Sequence, residues 1–183
     1  MRIIAGKARR LPLKSLPGKD TRPTTDRIKE TLFNMLAPEL DHAYFLDLFA
    51  GSGQIGLEAI SRGSAYCVFV ENNKKACEVI RDNIDFTKMG DQCCLMNTDV
   101  LSALRQMEGK YEFDLIFMDP PYFEDLEPQV MQYLKNSPVM KKDALLIVEA
   151  TEEKDFSFAA DLGFRLLKEK IYKTNKHVFF TKE

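Results

Sequence analysis

Tyr44-Phe45-Leu46-Asp47-Leu48-Phe49-Ala50-Gly51-Ser52-Gly53-Gln54-Ile55-Gly56 joins an apolar run to a helical pattern through a glycine turn. Tyr44–Phe49 reads as a buried strand, and Gln54–Arg62 as a helix that ends at Gly63. Gly51, Gly53 and Gly56 satisfy G-x-G-x-x-G, a pattern that lets backbone approach a ligand closely at a helix N-terminus. Glu71 ends the next apolar strand, Ala65–Val70, twenty residues after Gly51. An acid at that place can accept both ribose hydroxyls of an adenosine.

The alternation continues outward from this unit. Lys74–Thr87 reads as a helix, Cys93–Met96 as a short strand, Val100–Met107 as a helix and Phe113–Met118 as a strand. Leu126–Leu134 reads as a helix and Leu145–Val148 as a strand, with Phe164–Tyr172 and His177–Thr181 as two closing, antiparallel strands. Strands that are apolar throughout, alternating with helices, imply an α/β chain with a mostly parallel sheet covered on both faces. Upstream, Thr24-Thr25-Asp26 opens a helix with Ile28, Leu32, Phe33, Met35 and Leu36 at helical spacing, and Pro38 is expected to end it. Residues 1–23, broken by Gly6, Pro12, Pro17, Gly18 and Pro23, read as an arm or small hairpin in front of a 24–183 domain.

The strand Phe113–Met118 runs into Asp119-Pro120-Pro121-Tyr122. Neither proline can donate to a ladder and each fixes its own φ, so the strand stops abruptly in a stiff loop. That loop offers a carboxylate, backbone carbonyls and a flat ring, which suits a planar group carrying an amine. The acids Asp47, Glu71, Asp99 and Asp119 each follow or end one of four successive strands. Two ligands compete for such a site. A dinucleotide fits the glycines and Glu71. S-adenosylmethionine fits the same adenosine features, and its cationic groups suit the acids better than a pyrophosphate does. Asp99 can take the adenine N–H or simply cap the helix that follows.

With 183 residues and 45% hydrophobic composition, the chain can build one sizeable core. It lacks an apolar run of bilayer length and a signal-like N-terminus, so a cytoplasmic protein without a membrane partner is expected. Cys67, Cys77, Cys93 and Cys94 form no C-x-x-C pair, and with only two histidines no metal site is expected. The net charge of −2 is unevenly divided. Residues 1–29 hold nine Lys/Arg against two acids, a net +7 on a body of −9. Such an arm suits an anionic partner, with nucleic acid the usual candidate, or is a solvated terminus. Arg2, Lys7, Arg9, Arg10, Lys14 and Arg22 are the candidate contacts to such a partner's phosphates.

The segments Arg2-Ile3-Ile4-Ala5-Gly6-Lys7-Ala8-Arg9-Arg10-Leu11, Arg22-Pro23-Thr24-Thr25-Asp26-Arg27-Ile28-Lys29-Glu30, Asp47–Gly53, Gly56-Leu57-Glu58-Ala59, Ser61-Arg62-Gly63 and Asp119–Tyr122 resemble the RsmD family. These are bacterial methyltransferases acting on the N2 amine of a guanine in 16S ribosomal RNA. Gln54, where a small residue is common, and a closing turn without the usual glycine depart from the pattern. The resemblance implies a Rossmann-like, class I S-adenosylmethionine-dependent fold with seven strands in the order 3-2-1-4-5-7-6. It implies S-adenosylmethionine as cofactor, held by Asp47, Phe49, Gly51, Gly53, Glu71, Asn72, Asp99 and Val100. Asp119, Pro120, Pro121 and Tyr122 become the catalytic loop, with 16S rRNA, the small subunit or an assembly intermediate as partner; the alternatives are an adenine-N6 DNA methyltransferase, which needs the same loop, and a non-catalytic S-adenosylmethionine-binding assembly factor. A monomer is expected, as is an arm whose removal (residues 1–20) weakens RNA binding and spares the cofactor. Thr24, Thr25 and Arg27 are further candidates to line the pocket.

Overall fold

β1 (Tyr44–Asp47) is an inner strand of a seven-stranded sheet in a computed structural model that describes residues 1–16, 25–122 and 124–183. It pairs in parallel with β2 (Tyr66–Val70) on one side and β4 (Phe113–Met118) on the other. β3 (Cys93–Met96) extends the sheet beyond β2, and β5 (Met140–Thr151) extends it beyond β4. β7 (Asn175–Lys182) and β6 (Phe164–Ile171) close it as antiparallel neighbours. The order is β3-β2-β1-β4-β5-β7-β6, the Rossmann-like methyltransferase order that the resemblance implied. The chain reverses direction across the sheet between β1 and β4, which opens a crevice at the carboxyl edge beside β1.

Alternate strand residues feed two cores. Phe45, Phe69, Phe117, Ile147 and Phe179 face α1 (Asp26–Leu40), α2 (Gln54–Ser61) and α3 (Lys74–Thr87). Leu46, Val68, Ile116, Val148 and Phe180 face α4 (Val100–Met107), α5 (Leu126–Leu134) and the short α6 (Phe158–Asp161). Strands buried on both faces explain the unbroken apolar runs in the sequence. Gly56 lets α2 lie close to the sheet: a Cβ there would come within 2.3 Å of the Phe69 ring and 2.5 Å of Cys67 Sγ.

Three expectations are corrected. Pro38 does not end α1; the helix continues to Leu40. A proline in the last turn forfeits only one hydrogen bond, and burial of Leu36 and Leu40 carries the turn through. β5 runs from Met140 to Thr151 rather than Leu145 to Val148, because pairing with β4 and β7 extends it through the polar ends. β7 likewise starts two residues earlier, at Asn175.

The N-terminal segment forms a small hairpin, with Arg2 bridging Pro12 and backbone bonds from Ile3 to Leu11 (3.0 Å) and from Leu13 to Met1 (3.0 Å). It is docked on the domain: Ile3, Ala8 and Leu13 are buried in the same core as α1 and α2. Glu58 of α2 accepts hydrogen bonds from the backbone N–H groups of Ile4 (2.8 Å) and Ala5 (3.0 Å). The buried Lys29 Nζ donates to the Arg2 carbonyl at 2.5 Å and lies 3.6 Å from Glu58. The four cysteines are free thiols, two of them buried. Among the described residues no helix is long and apolar enough to cross a membrane.

Candidate active site

At the carboxyl edge, four strands each deliver an acid to one cavity of about 780 Å³. Asp47 ends β1, Glu71 follows β2, Asp99 stands between β3 and α4, and Asp119 follows β4. All four line the cavity, together with Phe49, Gly51, Asn72, Val100, Pro120, Pro121 and Tyr122. Of the sequence-derived pocket set, Gly53 is absent from the lining. It sits behind it in the left-handed region (φ 78°) at the N-terminus of α2, where Ile80 and Phe69 would press on a Cβ at 3.4–3.5 Å. Its contribution is the shape of the turn.

The acids also hold the glycine turn in place. Asp47, almost fully buried, accepts from the Gly56 N–H at 3.1 Å. Glu71 accepts from Gly51 N–H at 2.9 Å and from Asn73 N–H at 2.8 Å. Asp99 caps α4 by accepting from Ser102 N–H at 2.9 Å, so one of its oxygens serves the helix while the residue lines the cavity. The hydrogen bonds from Ser102 hold the Asp99 carboxyl below the usual range. Burial pushes Asp47 up to about 7, with the Gly56 N–H opposing the rise and Glu71 adding to it. Burial likewise pushes half-buried Asp119 well above the ordinary carboxylate range, with Glu149 and then Asp47 adding to the rise. Carboxyls starved of positive charge in this way favour a cationic occupant.

Asp119 and the Pro120 carbonyl have no hydrogen-bond partner among the described residues, and both stand at the cavity wall. Pro120 is buried, and Tyr122 is 42% exposed at the rim. Gln54 Oε1 is buried at the cavity without a hydrogen-bond partner among the described residues. An orphaned acceptor beside acids fits a ligand with N–H or O–H groups, as adenosine bearing an amino-acid tail has. The residues present therefore fit S-adenosylmethionine.

The sequence reading missed the inner ends of the hairpin. Met1, Ser15 and Leu16 line the cavity, and Asn83 ties the hairpin to the glycine turn by donating to the Ser52 (2.9 Å) and Lys14 (3.0 Å) carbonyls. Among the described residues, none of the candidate RNA contacts lines the cavity. Arg2 pairs with Asp26 at 2.8 Å and Lys7 donates to Gln92, while Arg9 and Arg10 are exposed. Arg22 and Thr24 lie outside the described residues, as does Phe123. Thr25 caps α1 by accepting from Ile28 N–H, and neither it nor Arg27 lines the cavity. Among the described residues no group of His, Cys, Asp and Glu could hold a metal ion.

The similarities to known proteins run along the whole chain. The family model Conserved hypothetical protein 95 matches residues 1–181. Ribosomal RNA small subunit methyltransferase D of Haemophilus influenzae is 38% identical over 171 residues, 93% of this chain and 88% of that protein. Its namesake in Escherichia coli K12 is 37% identical over 155 residues, 84% of this chain and 76% of that protein. The solved structure of Escherichia coli yhhF matches with a TM-score of 0.88 at 32% identity, covering 100% of this chain and 98% of that one. Haemophilus influenzae HI0767 matches with a TM-score of 0.82 at 33% identity, covering 99% and 97%. The family model takes in the hairpin, the glycine turn and all but the last residue of the closing strands, and the chain belongs to the RsmD family.

Proposed function

We propose that this protein transfers a methyl group from S-adenosylmethionine to the exocyclic N2 of a guanine in 16S ribosomal RNA. The observation that carries this reading is one cavity lined both by the Asp119-Pro120-Pro121-Tyr122 loop and by Asp47, Glu71 and the glycine turn. S-adenosylmethionine, when bound, supplies an activated methyl group with its own leaving group. Glu71 is suited to the ribose hydroxyls, Asp99 and Val100 to the adenine, and Asp47 to the cationic amino-acid end.

The guanine N2 lone pair is delocalised into its ring and is a poor nucleophile. Asp119 and the Pro120 carbonyl accept its two N–H groups, which favours a pyramidal nitrogen with its lone pair aimed at the methyl carbon. Tyr122 stacks on the base and fixes its plane. The base has to leave its own stack to reach the loop, so the target lies in a single-stranded or flipped position. Arg2, Lys7, Arg9, Arg10 and Arg22 contact phosphates on the way in. We assign the protein to the cytoplasm, acting as a monomer on rRNA or a small-subunit assembly intermediate.

The test is transfer of labelled methyl from S-adenosylmethionine to 16S rRNA, followed by nucleoside identification. Label in N2-methylguanosine is expected, with Asp119→Ala lowering kcat by about 10²–10³-fold. Label in N6-methyladenosine, or near-normal turnover by Asp119→Ala, overturns the reading.

A further inference from the structure

Behind the cavity, three strands bring acid and base groups into one row. β4 and β5 pair up to Met118 opposite Val148; Asp119 follows at once, and Glu149, next on β5, acts on it electrostatically. β5 and β7 pair with Glu149 opposite His177. Two residues away along the same strands, Phe117, Ile147 and Phe179 all lie in the core beneath α1, α2 and α3. Asp119, Glu149 and His177 therefore share that face.

Glu149 and His177 are buried, at 4% and 0% exposure. Asn175 Nδ2 donates to Glu149 Oε1 at 2.7 Å, and His177 Nε2 lies 3.0 Å from Glu149 Oε2. Tyr172 OH lies 3.1 Å from His177 Nδ1. An ionised carboxylate only accepts, so His177 Nε2 carries the proton; Nδ1 then accepts, and Tyr172 donates to it. Burial and Glu149 push the Tyr172 phenol up to about 12, which keeps it a donor. Both side-chain oxygens of Glu149 are thus engaged, one by Asn175 and one by His177, which holds the group in place. Among the described residues, the titratable groups that bear on Asp119 are Glu149 from β5 and Asp47 from β1; those that bear on Glu149 are Asp119, His177 and Tyr172.

We propose that Glu149 is a positioning residue for methyl transfer: its locked carboxylate beside Asp119 makes Asp119 the acceptor of the proton that the amine loses. The inference rests on the methyl-transfer reading above. In the reaction, the nitrogen–carbon bond forms as the sulfur–carbon bond breaks, and that electron pair stays on sulfur. The nitrogen then holds one proton too many, and Asp119 takes it and passes it to solvent when the product leaves. Asp119 is kept ionised, ready to accept the N–H, while a cation shares its cavity. Once that charge is gone, the neighbouring Glu149 carboxylate restores its proton affinity.

The test uses Glu149→Gln, which keeps shape and removes the charge. With saturating S-adenosylmethionine, so that Asp47 is already ionised, the acid limb of kcat/KM for the RNA is expected to move about one unit toward lower pH. Independently of activity, titration calorimetry in buffers of different ionisation heat counts the protons released on binding. Sinefungin, in which a carbon bearing a cationic amine replaces the methylated sulfur, is expected to release more protons from the native protein than S-adenosylhomocysteine does. Glu149→Gln is expected to abolish that difference. Should Glu149→Gln not fold, Asn175→Ala removes one of the two donors and shifts both readouts the same way by less. His177→Gln, which keeps an N–H donor, is expected to retain the native profile. A folded Glu149→Gln with unmoved limb and unmoved proton count overturns the inference while guanine methylation stands. Absence of methyl transfer by the native protein overturns the reading beneath it.

Discussion

Asp47 shows what one buried carboxyl does to the chemistry of this cavity. Its ordinary range lies near pH 4, and burial lifts it to about 7. Below that value the carboxyl is neutral, and a cationic ligand has to displace its proton on binding. Affinity for S-adenosylhomocysteine, which keeps the amino-acid ammonium, is therefore expected to be about tenfold weaker at pH 6 than at pH 8. The stability of the ligand-free protein runs the opposite way. A carboxyl raised in the folded state adds stability at acid pH, and the addition is lost as pH rises through about 7. Titration calorimetry and thermal melts between pH 5.5 and 8.5 check both slopes, and Asp47→Asn is expected to flatten them. That Asp47 stands at the cavity was legible from its offset from the glycines. Its altered acidity was not legible, because it depends on how completely α2 covers the end of β1.

Among the elements, α2 fastens the hairpin. Glu58 is wholly buried, and it accepts from Ile4 and Ala5, pairs with Arg62 at 2.7 Å and faces Lys29. Removing one member of a buried ionic group strands the others, so Glu58→Ala is expected to cost about 3–5 kcal/mol in urea unfolding. A Cβ on Gly6, at φ 81°, would stand 1.7 Å from the Ser61 carbonyl oxygen. Gly6→Ala is therefore expected to undock the hairpin with a loss of similar sign, and an unchanged urea midpoint for both variants would show the clamp to be idle. Little of this fastening could be read from sequence. Hydrophobic spacing finds a helix at Gln54–Arg62, but it does not say that Glu58 points inward to receive two backbone N–H groups from a distant segment. The same gap explains Pro38, where tertiary burial overrides a local breaker, and the polar start of β5, where strand pairing overrides composition. The strand–turn–helix unit and the Asp-Pro-Pro-Tyr loop were legible because their signals are local and positional.

At the scale of the molecule, a basic end sits on an acidic body, and the hairpin proposed to meet RNA is also part of the core. Its exposed edge carries Arg9 and Arg10, while its other side buries Ile3, Ala8 and Leu13 and sends Met1, Ser15 and Leu16 to the cavity. Deleting residues 1–20 would remove core and cavity wall together with charge, so loss of RNA binding after deletion would say nothing about phosphate contacts. Charge has to be removed without disturbing the fold. Arg9 and Arg10 are exposed and have no side-chain hydrogen bond or ion pair among the described residues. Arg9→Ala with Arg10→Ala is expected to change stability by less than about 0.5 kcal/mol per site and to leave S-adenosylhomocysteine affinity unchanged. RNA affinity is expected to fall, and the slope of log affinity against log salt to become shallower by about 1.4, or about 0.7 for each lost contact to a single strand. A slope that stays at its native value would move the RNA face away from the hairpin, since counterion release reports phosphate contacts and is blind to the packing that the hairpin also supplies.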